Sequence, residues 1–284
     1  MESEFALQVK NLCKSYPQFT LSDVSFSVPK GAIMGLIGEN GAGKSTVMKI
    51  ILEMTRADGG KISVFGHEGV TARDKEKIGV VFDELPFNQT LTVSALGKVM
   101  QNIYSEWDMQ AYQGYLSRFS LPDKKELKDF SKGMKMKLSL AVALSHHAKL
   151  LILDEPTGGL DPVVRAEILD LFLEFIADGE SSILVSSHIT GDLEQIADYI
   201  TFLHQGKLMM SKNKDDIIYR YGIAKADPRT IEAIGSSFVV KKKISQYGAQ
   251  ALIENREEFA REYPDILVDP ITLDALMLFL CTEH

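Results

Sequence analysis

Gly38-Glu39-Asn40-Gly41-Ala42-Gly43-Lys44-Ser45-Thr46 puts three glycines, a lysine and two hydroxyls into nine residues, directly after an apolar run. The spacing fits G-x-x-x-x-G-K-[ST], the pattern of a loop that wraps phosphate. Glycines let backbone N–H groups close around phosphate oxygens, and the N-terminus of a following helix favours anions. In such a loop Lys44 reaches the β- and γ-phosphates and Ser45 holds Mg²⁺. A second chemical group lies downstream. "LLILDEP", 150–156, ends an apolar run with two acids, and the C-terminal ends of strands are where α/β sheets present ligands. Asp154 fits the orientation of Mg²⁺, and Glu155 the polarisation of an attacking water. A solvated strand end is the plainer account of two adjacent acids, and the loop upstream makes it the weaker one.

These groups need elements to hold them. "AIMGLIG", 32–38, reads as a compact strand that enters the loop, and "TVMKIILEM", 46–54, as the helix that leaves it. Residues 5–30 alternate apolar and polar in short runs, which predicts antiparallel strands. "KISVFG", "KIGVVFD" (77–83), "KLLILDEP" and "SSILVSSH" read as further strands. From about 88 to 148 the signals are mostly helical, with a break at Leu121-Pro122-Asp123. "DPVVRAEILDLFLEFIADG" predicts a helix with Asp161 as N-cap, Pro162 at its first position and Gly179 near its end. "DYITFLHQGKLMM" suggests a hairpin around Gln205-Gly206. Strands alternating with helices imply an α/β core with a mainly parallel sheet.

Composition sets outer limits. A chain of 284 residues can bury one large core, or one core and a small appendage. Apolar residues at 45% and charged residues at 25% match ordinary soluble proteins. The net charge of -8 argues against a general nucleic-acid binder. No apolar stretch approaches the roughly 20 residues that span a bilayer. The opening "MESEFALQVK" lacks the basic-then-apolar pattern of a signal peptide, and Cys13 and Cys281 read as reduced thiols in the cytosol.

Further motifs stand in an order that carries a resemblance. "DFSKGMKMKLSLAVAL", 129–144, precedes the acidic strand; "GGLD", 158–161, follows it; His188 ends "ILVSSH"; Tyr16 lies upstream of the loop. Alone, such a histidine is more often structural, and such a tyrosine a core or edge residue. Together with the loop and the acids, over about residues 5–210, the chain resembles the ATP-binding subunit of an ABC transporter. The resemblance implies a P-loop NTPase fold with an antiparallel β subdomain, a helical subdomain at about 88–148 and a small C-terminal extension. The ATPase domain would cover 1–210 and the extension 211–284. It also implies two ATP molecules, with Mg²⁺, bound between two subunits, identical or related, that dimerise when ATP is present. Tyr16 would stack on adenine, and Ser131, Lys132, Gly133 and Met134 would clamp the partner subunit's γ-phosphate. Asp161 would connect the two sites, and His188 would touch the γ-phosphate or the water. A membrane permease on a separate chain would be the partner, placing this chain at the cytoplasmic face of a bacterial membrane. Nucleic acid is not among the implied partners.

Two departures from the family pattern stand out. The family signature usually reads L-S-G-G-Q, and here it is Phe130-Ser131-Lys132-Gly133-Met134. Where the family normally has a glutamine that touches Mg²⁺ and reports to the permease, this chain has Asp83, followed by Glu84. Aspartate can ligate Mg²⁺ through a hard oxygen, so Asp83 joins Ser45 and Asp154 as an expected metal contact. Leu85, Phe87, Leu91, Tyr104 and Trp107 could line a groove for the permease's coupling helix, or simply pack the helical subdomain. In the tail, "SSFVVKKKIS" and "AQALIEN" read as strands. "DPITLDALMLFLCTEH" reads as a final helix with Asp269 as N-cap and Pro270 at its first position. Its face of Ile271, Leu273, Leu276, Leu278 and Leu280 needs a partner: the ATPase domain, a second subunit or the permease. Tail and "SKGM" are similar to exporter ATPases of the antimicrobial-peptide and phenol-soluble-modulin type. Competing readings are a soluble ATPase of this class acting on ribosomes or DNA, and a regulatory module that no longer hydrolyses ATP.

Overall fold

The computed structural model describes residues 4–245 and 248–281. Period-two alternation makes β1 (Phe5–Tyr16) and β2 (Phe19–Pro29) a two-faced antiparallel hairpin. The apolar run gives β3 (Ile33–Ile37), buried on both faces. α1 (Lys44–Ile51) follows the glycine-rich loop. It starts two residues before the expected helix, because Val47 N–H already bonds Gly43 O at 3.0 Å. It also stops earlier than expected: Glu53 takes a left-handed φ of 56°, which turns the chain out of the helix. β4 (Gly59–Val64) and β5 (His67–Glu68) extend the antiparallel part. α2 (Ala72–Glu76), with a capping box between Thr71 and Asp74, leads into β6 (Ile78–Val81).

The middle of the chain is helical: α3 (Val93–Gln101), α4 (Met109–Arg118) and α5 (Lys132–Leu144). Thr92, Asp108 and Ser131 cap them through side-chain oxygens. Then come β7 (Leu150–Asp154), α6 (Pro162–Ile176), β8 (Ser182–Ser187) and α7 (Thr190–Ile196). β9 (Tyr199–His204) and β10 (Lys207–Asn213) form the hairpin around Gln205 and Gly206, both at positive φ.

One ten-stranded sheet runs in the order β5-β4-β1-β2-β10-β9-β3-β8-β7-β6. β9, β3, β8, β7 and β6 are parallel neighbours, so their C-terminal ends share one edge. The antiparallel strands join this half through β2 and β10, paired at Lys207 with Ser22. The seam is reinforced at Gly206, whose carbonyl accepts from Ser22 N–H at 2.8 Å and whose N–H bonds Ala42 O at 3.1 Å.

The tail forms α8 (Lys214–Arg220), β11 (Tyr221–Ala226), α9 (Pro228–Ala233), β12 (Val239–Ser245) and β13 (Gly248–Glu254). α10 (Arg256–Glu262), β14 (Leu267–Pro270) and α11 (Leu273–Cys281) follow. Its four-stranded antiparallel sheet, order β12-β13-β11-β14, has a small core around Ile231, Phe238, Ile253 and Phe259. Asp269 and Pro270 do not start the last helix. They close β14 opposite Ile223 and Gly222, where ladder pairing overrides the capping signal and an edge strand tolerates proline. Thr272 caps α11 instead, its Oγ1 accepting from Ala275 N–H at 3.2 Å. Leu273, Leu276 and Phe279 bury against the main core, and Leu278 faces solvent. Residues 282–284 of the expected helix lie outside the described residues.

Candidate functional site

The shared edge of the parallel strands collects the chemistry. The loop 38–46 leaves β3, Asp83 follows β6, Asp154 ends β7, and His188 follows β8. A cleft of about 580 Å³ runs along residues 39–46 and is bounded by Gln18, Phe19, Asp83, Asp154 and Glu155. Gly43 holds φ 110°, and a Cβ there would stand 2.8 Å from the Phe19 ring, so the loop and that ring fit only with glycine.

Lys44 is buried, and its ammonium donates to Gly38 O at 2.7 Å and Glu39 O at 3.3 Å. Glu155 Oε1 lies 3.5 Å from the same Nζ. The other carboxylate oxygen, Glu155 Oε2, sits 2.6 Å from His188 Nδ1 and accepts from His188 N–H at 3.2 Å. Lysine, glutamate and histidine therefore form one continuous line across the strand ends. Ser186 Oγ donates to Asp154 Oδ1 at 2.6 Å and accepts from Glu155 N–H at 3.0 Å, fixing both acids at once. Beneath the loop that follows, buried Asp192 accepts from Thr157 Oγ1 at 2.7 Å and pairs with Arg165. Ser186, Thr157, Arg165 and Asp192 carry no motif spacing, and sequence reasoning missed them.

Asp161 caps α6, its Oδ1 accepting from Val163 and Val164 N–H at 3.1 Å each. Ser131 caps α5 through Met134 N–H at 3.3 Å. Ser131 and Lys132 are exposed at that helix start, with Gly133 and Met134 half-buried. Lys132 Nζ pairs with Asp83 Oδ1 of its own chain at 2.7 Å. The two departures from the family pattern are thus in contact with each other. Tyr16 is exposed beside Phe19, ring centroids 6.5 Å apart, and it is Phe19 that borders the cleft. An aromatic at the start of β2, three residues after Tyr16, was the available signal. Leu85, Phe87, Leu91, Tyr104 and Trp107 are each half-buried against the main core.

Comparison with known proteins follows the same line. The profile of the family described as ABC transporter matches residues 21–158. The chain is 39% identical to a lantibiotic transport ATP-binding protein of Streptococcus pyogenes, over 74% of this chain and 91% of that one. It is 32% identical to a bacitracin transport ATP-binding protein of Enterococcus faecalis, over 76% and 72% of the two chains. Among solved structures, an ATP-binding subunit of an ABC transporter superposes with a TM-score of 0.68 at 30% identity, covering 75% of this chain and 91% of the other.

Proposed function

The chain belongs to the ATP-binding subunits of ABC transporters, and we propose that it powers a bacterial exporter whose membrane-spanning permease is a separate chain. The observation that carries this reading is the meeting of Lys44, Ser45, Asp154 and Glu155 on one cleft, with Glu155 held by His188. ATP would lay its phosphates along Gly38 to Thr46, where backbone amides and the start of α1 face the anion. Lys44 would exchange its carbonyl partners for phosphate oxygens. Ser45, Asp83 and Asp154 offer hard oxygens along the same cleft, with Asp154 oriented by Ser186, and this set suits Mg²⁺. When bound, that ion offsets the phosphate charge.

Glu155 would accept a proton from water as the water oxygen attacks the γ-phosphorus, and the bond to the β-phosphate oxygen breaks. His188 would keep that carboxylate aimed. Phe19 or Tyr16 would meet the adenine. Ser131, Lys132, Gly133 and Met134 would complete the site of a second subunit, identical or related, and Asp161 would link the two sites. ATP would close this dimer, and hydrolysis would reopen it.

The permease would receive that motion at the cytoplasmic face of the membrane. Among the described residues no helix is long and apolar enough to cross a membrane. Relatives named for lantibiotic and bacitracin transport support a peptide or another amphipathic compound as cargo. Residues 1–210 would be the ATPase domain and 211–284 an extension for packing or dimerisation. The deciding experiment is affinity purification of the tagged chain from detergent-solubilised membranes of its host. A multi-span protein in stoichiometric amount is expected. Recovery with ribosomes or DNA and no multi-span protein would sink the exporter reading.

A further inference from the structure

Three residues that nothing above employs together meet beside the phosphate-binding loop. Glu39 is the second residue of that loop, His204 is the last residue of β9, and Cys281 is the last residue of α11. One ligand atom from each lies within 4.8 Å of the other two. We propose that Glu39, His204 and Cys281 bind one zinc ion, which fastens the end of the C-terminal helix to the phosphate-binding loop.

The donor set selects the metal. A thiolate sulfur, an imidazole nitrogen and a carboxylate oxygen together suit zinc, whereas Mg²⁺ and Ca²⁺ take oxygen alone. Zinc bonds of about 2.0–2.3 Å in a tetrahedron hold ligand atoms roughly 3.5 Å apart, with a fourth position for water. The Glu39–His204 pair already stands within that span at 3.0 Å, so closing the rest falls on Cys281, which ends a helix.

His204 supplies the second observation. Its side chain is 12% exposed. Nδ1 is buried and lies 3.0 Å from Glu39 Oε1, yet it has no hydrogen-bond partner of proper alignment. A buried ring nitrogen whose neighbouring carboxylate is not aligned for a hydrogen bond is uncommon. A cation between that nitrogen, the carboxylate and the sulfur satisfies all three.

The surroundings hold the Cys281 thiol above its ordinary value, and two lysines only offset part of that. Burial and the Glu39 carboxylate push the Cys281 thiol up, and Lys241 and Lys243 pull it down. Both ammonium groups donate to the last carbonyls of α11, Lys241 to Leu280 O at 3.4 Å and Lys243 to Leu278 O at 2.9 Å. Binding forms an S–Zn bond, breaks the S–H bond and releases the proton to solvent, with no change of oxidation state. Glu39 also lines the nucleotide cleft, so the ion would stand between the tail and the loop that takes phosphate.

The test is titration of the untagged, nucleotide-free chain with Zn²⁺, and with Co²⁺ as an optical probe. One equivalent is expected, with a thiolate-to-cobalt charge-transfer band. Cys281→Ser should abolish the band, His204→Ala should weaken binding at least tenfold, and Cys13→Ser should change neither. Zn²⁺ should also protect Cys281 of the wild-type chain from alkylation, read by mass spectrometry, which needs no variant to fold. Absence of stoichiometric binding would overturn the proposal. So would binding that survives Cys281→Ser, or unprotected alkylation of Cys281 at saturating zinc.

Discussion

Glu155 holds a left-handed φ of 52°, a conformation that costs a non-glycine residue roughly 1 kcal/mol or more. The turn that follows, Gly158 N–H to Glu155 O at 3.1 Å, aims the carboxylate back between Lys44 and His188. Glu155→Gln keeps this shape and removes the proton acceptor. Steady-state ATP hydrolysis should fall at least about a hundredfold, while equilibrium binding of a fluorescent ATP analogue stays within a few-fold. Turnover within threefold of wild type would remove Glu155 from the mechanism. Asp83 and Lys132 make a sharper case. Both are half-exposed, so their ion pair contributes at most about 1 kcal/mol to stability. Its effect should appear in Mg²⁺ dependence instead. Asp83→Ala should raise the Mg²⁺ needed for half-maximal hydrolysis. Lys132→Met, which leaves Asp83 without its cationic neighbour, should lower it. Identical Mg²⁺ curves for the two variants would make Asp83 a bystander.

Just after α5, His146 joins the helical part to the end of α2. Its Nδ1–H donates to Glu76 O at 2.8 Å, and its ring stacks on Tyr104 at 4.0 Å and 7°. Nε2 is buried without a partner, and burial holds the imidazole below its ordinary value. A depressed folded value means stability present above ~6.5 and lost as pH falls below it, because the unfolded chain takes up the proton first. His146→Phe keeps the stack but cannot titrate. The stability advantage of wild type over this variant, measured by thermal unfolding, should shrink between pH 8 and pH 5.5; a constant gap would contradict the assignment. His146 also marks where the sequence stops being legible. The loop, the acidic strand end and the Asp161 cap were readable because spacing alone defines them. Tyr104 and Trp107 read as core more readily than as groove, and only contact with His146 and Tyr112 reveals how far they are buried. In the tail, β11 and β14 escaped notice: "YGIAKA" and "LVDP" are too short to show a period, and their pairing is set by distant partners. The same long-range pairing displaced Asp269 and Pro270 from the helix start they resemble.

For the whole molecule, a signature that acts in trans means that one subunit alone cannot close its site, although Ser131 is exposed at the start of α5. The Glu155→Gln chain should therefore be monomeric without nucleotide and dimeric with ATP and Mg²⁺, as read by light scattering. A dimer that ignores nucleotide would assign the contact to the C-terminal extension. The seam at Ser22 and Lys207 has a consequence of another kind. The N-terminal strand belongs to the antiparallel half of the sheet, and the tail hangs from the parallel half through β10 and α8. Tension applied at the two ends of the chain is therefore carried across a junction of one register pair and the two Gly206 hydrogen bonds, whereas β1 and β2 are laddered along most of their length. In an optical trap the first rupture should open there and free the β1–β2–β4 unit as one step. Cross-linking Ser22 to Lys207, after replacing both with cysteine, should raise that rupture force and shift the first yield to another part of the molecule.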